Sequence, residues 1–252
     1  MNILKLARMI RLTPLRAAII AIVFCVSSFV SLGQQTVSTS DANFPLSPGT
    51  YWIYRGVVRW YDFKNQAESE TAIKWKMEVV KCIQRANIRA ALVSGFPSDL
   101  DWTGGHPKRT NSLIIQSDPG KFYLIASDEV EKTWKTVQDP NGSLGSLLVI
   151  DDVFLDLPLT QGKKFCDPEL MEREDSGYCW VVESVDQLSL DEVKGISRGF
   201  RTGYSIKYQS NPDDTEFTYV PGVGLVTYGY HHHGSIADTE IHLVEFHPGT
   251  NP

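Results

Sequence analysis

Apolar and polar residues alternate with period two over long stretches of this chain, and that pattern leaves few folds open. From Tyr51 to Trp60, one face carries Trp52, Tyr54, Val58 and Trp60 and the other carries Arg55 and Arg59. From Thr71 to Ile83, Ile73, Trp75, Met77 and Val79 lie opposite Lys74, Lys76 and Glu78. Successive side chains of a strand point to opposite faces, so this alternation marks antiparallel strands with one face on a core and one in water. Further strands are expected at 88–94, 112–116, 121–127, 178–185, 204–209, 216–220, 225–232 and 237–246. Asp118-Pro119-Gly120, Asn211-Pro212-Asp213-Asp214, Pro221-Gly222 and Gly234-Ser235 supply the turns between them. Helical periodicity is weak. One short helix is expected over 128–137, capped by Ser127 or Asp128. The expected fold is mainly β and antiparallel, with at most one or two short helices.

The first 33 residues read differently. Lys5, Arg8, Arg11 and Arg16 precede a charge-free apolar run from Ala17 to Leu32, with small residues at Ser31 and Gly33. A basic start, a short apolar core and a small-residue exit form a secretory signal peptide. The run is shorter than the ~20 residues of a spanning helix; an uncleaved anchor is the alternative. Lipidation at Cys25 is disfavoured by bulky Phe24 before it. Residues 34–43 are small and polar and read as a flexible lead-in. The β domain is expected over 44–252, with no membrane span in the mature chain and a location in the periplasm or outside the cell. Cleavage removes four positive charges and no negative ones, taking the formal net charge from -6 to -10. An acidic chain without a basic cluster has no general attraction for nucleic acid.

A faint repeat runs through the domain. Phe44-Pro45-Leu46-Ser47-Pro48-Gly49 matches Leu157-Pro158-Leu159-Thr160-Gln161-Gly162, and each leads towards an aromatic residue. Two related sections, 44–140 and 141–252, follow as an expectation, with 139–145 as the connecting loop. Two signatures carry a resemblance. Pro45-Leu46-x-x-Gly49-x-x-Trp52-x-Tyr54 opens the domain, and Tyr219-x-Pro221-Gly222-Val223-Gly224-Leu225-Val226 stands near its end. In both, the chain resembles a loose group of uncharacterised exported bacterial proteins. That resemblance implies a curved antiparallel sheet, or sheets, or a half-barrel, somewhat like the periplasmic carriers of lipoproteins, and no known activity.

Four groups of residues invite a chemical reading. Cys166 and Cys179 enclose a polar loop and are expected to form a disulfide, which an oxidising compartment permits; Cys82 is expected free. A turn at Gly234-Ser235 would pair His231 with Asp238, Gly229 with Glu240 and Thr227 with His242. One hairpin face would then present His231, His233, Asp238, Glu240 and His242, a possible transition-metal set or a solvated strand face. Asp99, Asp101, Trp102 and His106 share one loop and could line a sugar or small-molecule site. The aromatic stripe of Trp52, Tyr54, Trp60, Trp75 and Tyr123 exceeds what a thin sheet needs, and is the candidate surface for an unknown apolar ligand or an envelope protein. No Gly-x-Ser-x-Gly, His-Glu-x-x-His, phosphate-binding glycine loop or Cys-x-x-Cys is present, so no catalytic residue and no cofactor is assigned.

Overall fold

A computed structural model describes residues 44–117, 120–126 and 128–250. The leader, the lead-in and Ser127 as a helix cap lie outside the described residues. Twelve strands form one antiparallel sheet: β1 (Tyr51–Asp62), β2 (Ala67–Arg85), β3 (Ile88–Ser94), β4 (Asn111–Ser117), β5 (Lys121–Ile125), β6 (Val153–Asp156), β7 (Lys164–Phe165), β8 (Trp180–Ser189), β9 (Phe200–Gln209), β10 (Asp213–Val220), β11 (Gly224–His232) and β12 (Ala237–His247). The hydrogen-bonded order is β6-β5-β4-β3-β2-β1-β12-β11-β10-β9-β8-β7. Each strand therefore pairs with its sequence neighbour, save that β1 pairs with β12 and β6 does not pair with β7. The mainly β, antiparallel expectation holds, and the sheet curls until it is a nearly closed barrel.

The curl is visible in the core. Phe44, just ahead of β1, packs on Trp52 of β1, Phe122 of β5, Phe154 of β6 and Tyr219 of β10, with ring centroids 5.8 to 6.3 Å apart. Phe154 also meets Phe217 of β10 at 6.4 Å. Rings from both halves of the strand order thus meet inside the sheet. The two sequence signatures also meet there. Trp52 Nε1 donates to the Val223 carbonyl at 2.6 Å, and the Tyr54 hydroxyl donates to the Leu225 carbonyl at 3.0 Å. Burying an indole or a phenol without such a partner would be costly.

One helix, α1 (Val130–Gln138), covers the outside. It starts at Glu129, which makes no side-chain cap, rather than at Asp128. Val130, Thr133 and Val137 are its buried residues. Arg85 of β2 fastens its far end by donating to the carbonyls of Thr136, Pro140 and Gly142 at 2.7 to 2.9 Å. Under it, β4 is buried on both faces from Ser112 to Ile115, which is why Leu113-Ile114-Ile115 does not alternate.

The six-residue repeat recurs in the backbone. Gly49 N–H donates to Val79 O, Thr50 N–H to Ser47 O, and Val79 N–H to Thr50 O; Gly162 N–H donates to Val182 O, Lys163 N–H to Thr160 O, and Val182 N–H to Lys163 O. Gly49 and Gly162 take φ of 82° and 80°, a region open to glycine and strained for most other residues. Leu46 and Leu159 are both buried. A β-bulge follows Val79 in one half and Val182 in the other. The turn at Gly49 opens β1–β6 and the turn at Gly162 opens β7–β12; the segment 139–145 lies earlier, between α1 and β6.

Candidate aromatic pocket

The strand alternation sends Trp52, Tyr54, Trp75 and Tyr123 into the core, each at 6 % exposure or less. Trp75 Nε1 is satisfied by the Gly95 carbonyl at 2.8 Å. Trp60, by contrast, lines an open pocket. It sits at the last pair of the β1–β12 ladder, opposite Ala237. There the β1–β2 hairpin projects beyond the sheet and the 95–110 loop folds over. Trp60, Tyr61, Phe63 and Trp102 are the aromatic residues lining a cavity of ≈ 190 Å³, with Arg59, Asp238 and Thr239 among its polar lining. Phe63 is 77 % exposed and Trp102 56 %, unusual for such large apolar groups. The Tyr61 and Phe63 rings meet edge-on at 5.0 Å.

The loop is built to hold Trp102 in place. At its base, Asp99 accepts from Thr110 N–H at 2.7 Å and from the Thr110 hydroxyl. Leu100 is fully buried. Trp102 itself has φ of 56°. Gly105, with φ of 79°, lies so close to the face of the Trp60 ring that a Cβ there would collide with it. Two tyrosines from β11 reach up from the core face. Tyr228 OH donates to Asp101 Oδ2 at 2.6 Å. Tyr230 OH accepts from Trp102 Nε1 and donates to Asp213 Oδ1 at 2.6 Å. His232 Nδ1 lies 2.7 Å from the same Asp213 oxygen, and its ring stands edge-on to Trp102 at 4.3 Å. His106 is exposed and outside the pocket lining.

Two carboxylates in this network are driven opposite ways. Burial pushes the Asp101 carboxyl up to about 7, although the Tyr228 and Thr239 hydroxyls pull it down, and its Oδ1 is shut off from solvent. Asp213 is also pushed up by burial, but hydrogen bonds from Tyr230 and His232 outweigh this and leave it below the usual range. Tyr228 and Tyr230 are held protonated, chiefly by burial and then by these acidic neighbours.

The histidine hairpin has the register that its turn implies: His231 pairs with Asp238, Gly229 with Glu240 and Thr227 with His242. The side chains then part company. His231 Nδ1 is 3.6 Å from Asp238 Oδ1, and His231 Nε2 is 4.0 Å from Glu216 Oε1. His233 turns instead to Asp214, at 3.1 Å. Glu240 is taken by Arg59 at 3.1 Å, and His242 is exposed. Among the described residues no three His, Cys, Asp or Glu side chains converge as a metal set. Cys166 and Cys179 are joined, with Cα atoms 4.8 Å apart, and Cys82 is free.

Phe63, Tyr228, Tyr230 and His232 are the site residues that sequence reasoning missed. Phe63 had a signal, a large apolar residue inside a polar hairpin turn. The tyrosines had none, because their rings lie buried in the core and only their hydroxyls serve the loop.

No protein-family model matches the chain, and a search of curated proteins finds no relative. Two solved structures are similar in outline. One is a candidate exported protein with a YmcC-like fold from Bacteroides fragilis, at 11 % identity and a TM-score of 0.40, covering 81 % of this chain and 98 % of that one. The other is a candidate lipoprotein from Parabacteroides distasonis, at 12 % identity and a TM-score of 0.35, covering 81 % and 97 %. At these scores neither likeness says anything about this chain's ligand or location.

Proposed function

We propose that the protein is an exported, non-catalytic β module of the bacterial envelope that binds a partner through the Trp60–Trp102 pocket. The observation that carries this reading is the pair of exposed rings, Phe63 and Trp102, around a cavity of ≈ 190 Å³. Drug-sized ligand pockets run to about 300–1,000 Å³. A volume below that range suits one ring or one side chain presented by something larger. The rings of β1, β5, β6 and β10 that pack around Phe44 inside the sheet support an outside docking mode over a lipid carried along the barrel axis. Export rests on the leader and on the Cys166–Cys179 bond, which suits an oxidising compartment.

Native mass spectrometry of protein purified from its own envelope tests the reading. A bound species should accompany the wild type and be lost from Trp102→Ala and from Phe63→Ala, both exposed positions. A species retained by both variants would overturn the pocket assignment, and an intact Met1 on the envelope protein would overturn the reading that the mature chain begins between Ser28 and Thr36.

A further inference from the structure

The two matched halves of the sheet differ at one place. Four residues beyond Gly49 is Ile53, and three before Val79 is Lys76; these two are cross-strand partners in β1 and β2. The same steps from Gly162 and Val182 lead to Cys166 and Cys179, the disulfide. In the first half the hairpin continues past this pair to Asp62 and back from Ala67. In the second half it stops. β7 ends at Phe165, β8 begins at Trp180, and the covalent bond closes a loop where the longer strands would have run. The consequence appears at the seams. β1 and β12 are joined through ten residue pairs, whereas β6 and β7, which occupy the equivalent places, are the two unpaired ends of the sheet.

A cavity of ≈ 370 Å³ occupies that position, its floor formed by Val153 of β6, Phe165 of β7, Trp180 of β8 and Tyr208 of β9. Trp180 packs at 5.1 Å on both Tyr208 and Phe217. The rim is acidic: Asp151 and Asp167 line the cavity, and Glu169, Glu172 and Glu174 follow in the adjoining loop. The cations of that stretch are engaged locally. Arg173 is bound to Asp175 at 2.7 Å, and Lys164 Nζ donates to the Arg173 carbonyl at 3.2 Å.

We propose that this open seam is a second binding site, taking an extended basic segment of a partner polypeptide that lies where the missing strands would run. Three features specify the occupant. An unpaired sheet edge favours an extended backbone, because main-chain hydrogen bonds supply affinity there. The aromatic floor takes alternate apolar side chains. The carboxylate rim selects lysine or arginine at the positions between.

Isothermal titration with an acetylated, amidated decapeptide of alternating lysine and valine tests this. One-to-one binding is expected, about tenfold weaker in the double variant Asp151→Asn with Asp167→Asn. The same peptide N-methylated at alternate amides should not bind, nor should spermine or a glutamate–valine peptide. Failure of the lysine–valine peptide to bind would overturn the proposal. So would equal binding of the N-methylated peptide or of spermine, or indifference to the double variant. The Trp102→Ala variant should bind the peptide as wild type does, which keeps this outcome separate from that at the other pocket.

Discussion

Asp101 stands where a carboxylate is least comfortable, with one oxygen held by a tyrosine hydroxyl and the other cut off from water. An unfolded aspartate releases its proton near 3.8, whereas this one holds it to about 7. Between those values the folded state binds a proton that the unfolded state has lost. Its contribution to stability is therefore complete below pH 4, declines as pH rises towards 7, and is then gone. Asp101→Asn keeps the neutral shape and the acceptor for Tyr228. In urea denaturation from pH 4 to pH 8, the variant should match the wild type at the acid end. At the alkaline end it should exceed the wild type by ~1–3 kcal/mol. A difference that does not change with pH would show that Asp101 is ionised throughout. The same residue shows what a sequence conceals. Asp101-Trp102 is plainly an acid beside an aromatic in a turn-rich loop, but its burial depends on Tyr228, more than a hundred residues away in the chain.

Among the elements, those with local instructions were the legible ones. The β11–β12 register is the one that the Gly234-Ser235 turn implies, although 233–236 lie outside both strands and the His233 N–H turns to the Pro212 carbonyl. β6 was missed because Val153-Phe154-Leu155 is a short apolar run, buried throughout, with no period to read. β7 has two residues and no pattern at all. The helix was placed to within two residues, but its start answers to packing against β4 and not to a cap. The pocket residues Trp60 and Trp102 were both noted, yet nothing local joins them; a ladder on one side and a loop on the other bring them together. The disulfide replaces most of a hairpin. Closing a loop of about 14 residues is worth ~3 kcal/mol in the chain-entropy picture. Cys166→Ser with Cys179→Ser should therefore lower unfolding stability by roughly that amount in denaturant titration. Loss should concentrate as faster amide exchange in β7 and the start of β8, while the β1–β2 hairpin keeps its protection. Uniform loss across the sheet would mean that the bond supports more than its own hairpin.

At the scale of the whole molecule, the period-two pattern pointed to antiparallel strands and the resemblance to a curved sheet, and the sheet is curved. The degree of curl was not legible, because it is decided by Phe44 and its ring partners from both halves. The strand order has a kinetic meaning as well. Every pairing but one joins neighbours in sequence; the exception, β1 with β12, brings together residues as far apart as Tyr51 and His247. That is a long loop to close before any contact rewards it, and such closures slow folding. The two ends of the described chain nevertheless finish side by side, with Gly249 N–H donating to Thr50 Oγ1 at 2.9 Å. A circular permutant that links Gly249 to Phe44 and opens after Thr160 would turn the sheet into an unbroken meander from β7 to β6. Stopped-flow refolding of that permutant should be faster than that of the natural order at equal stability. An equal or slower rate would place the folding barrier elsewhere. By this account the natural connectivity, with its break at 157–163, makes joining the first strand to the last the event that completes the barrel.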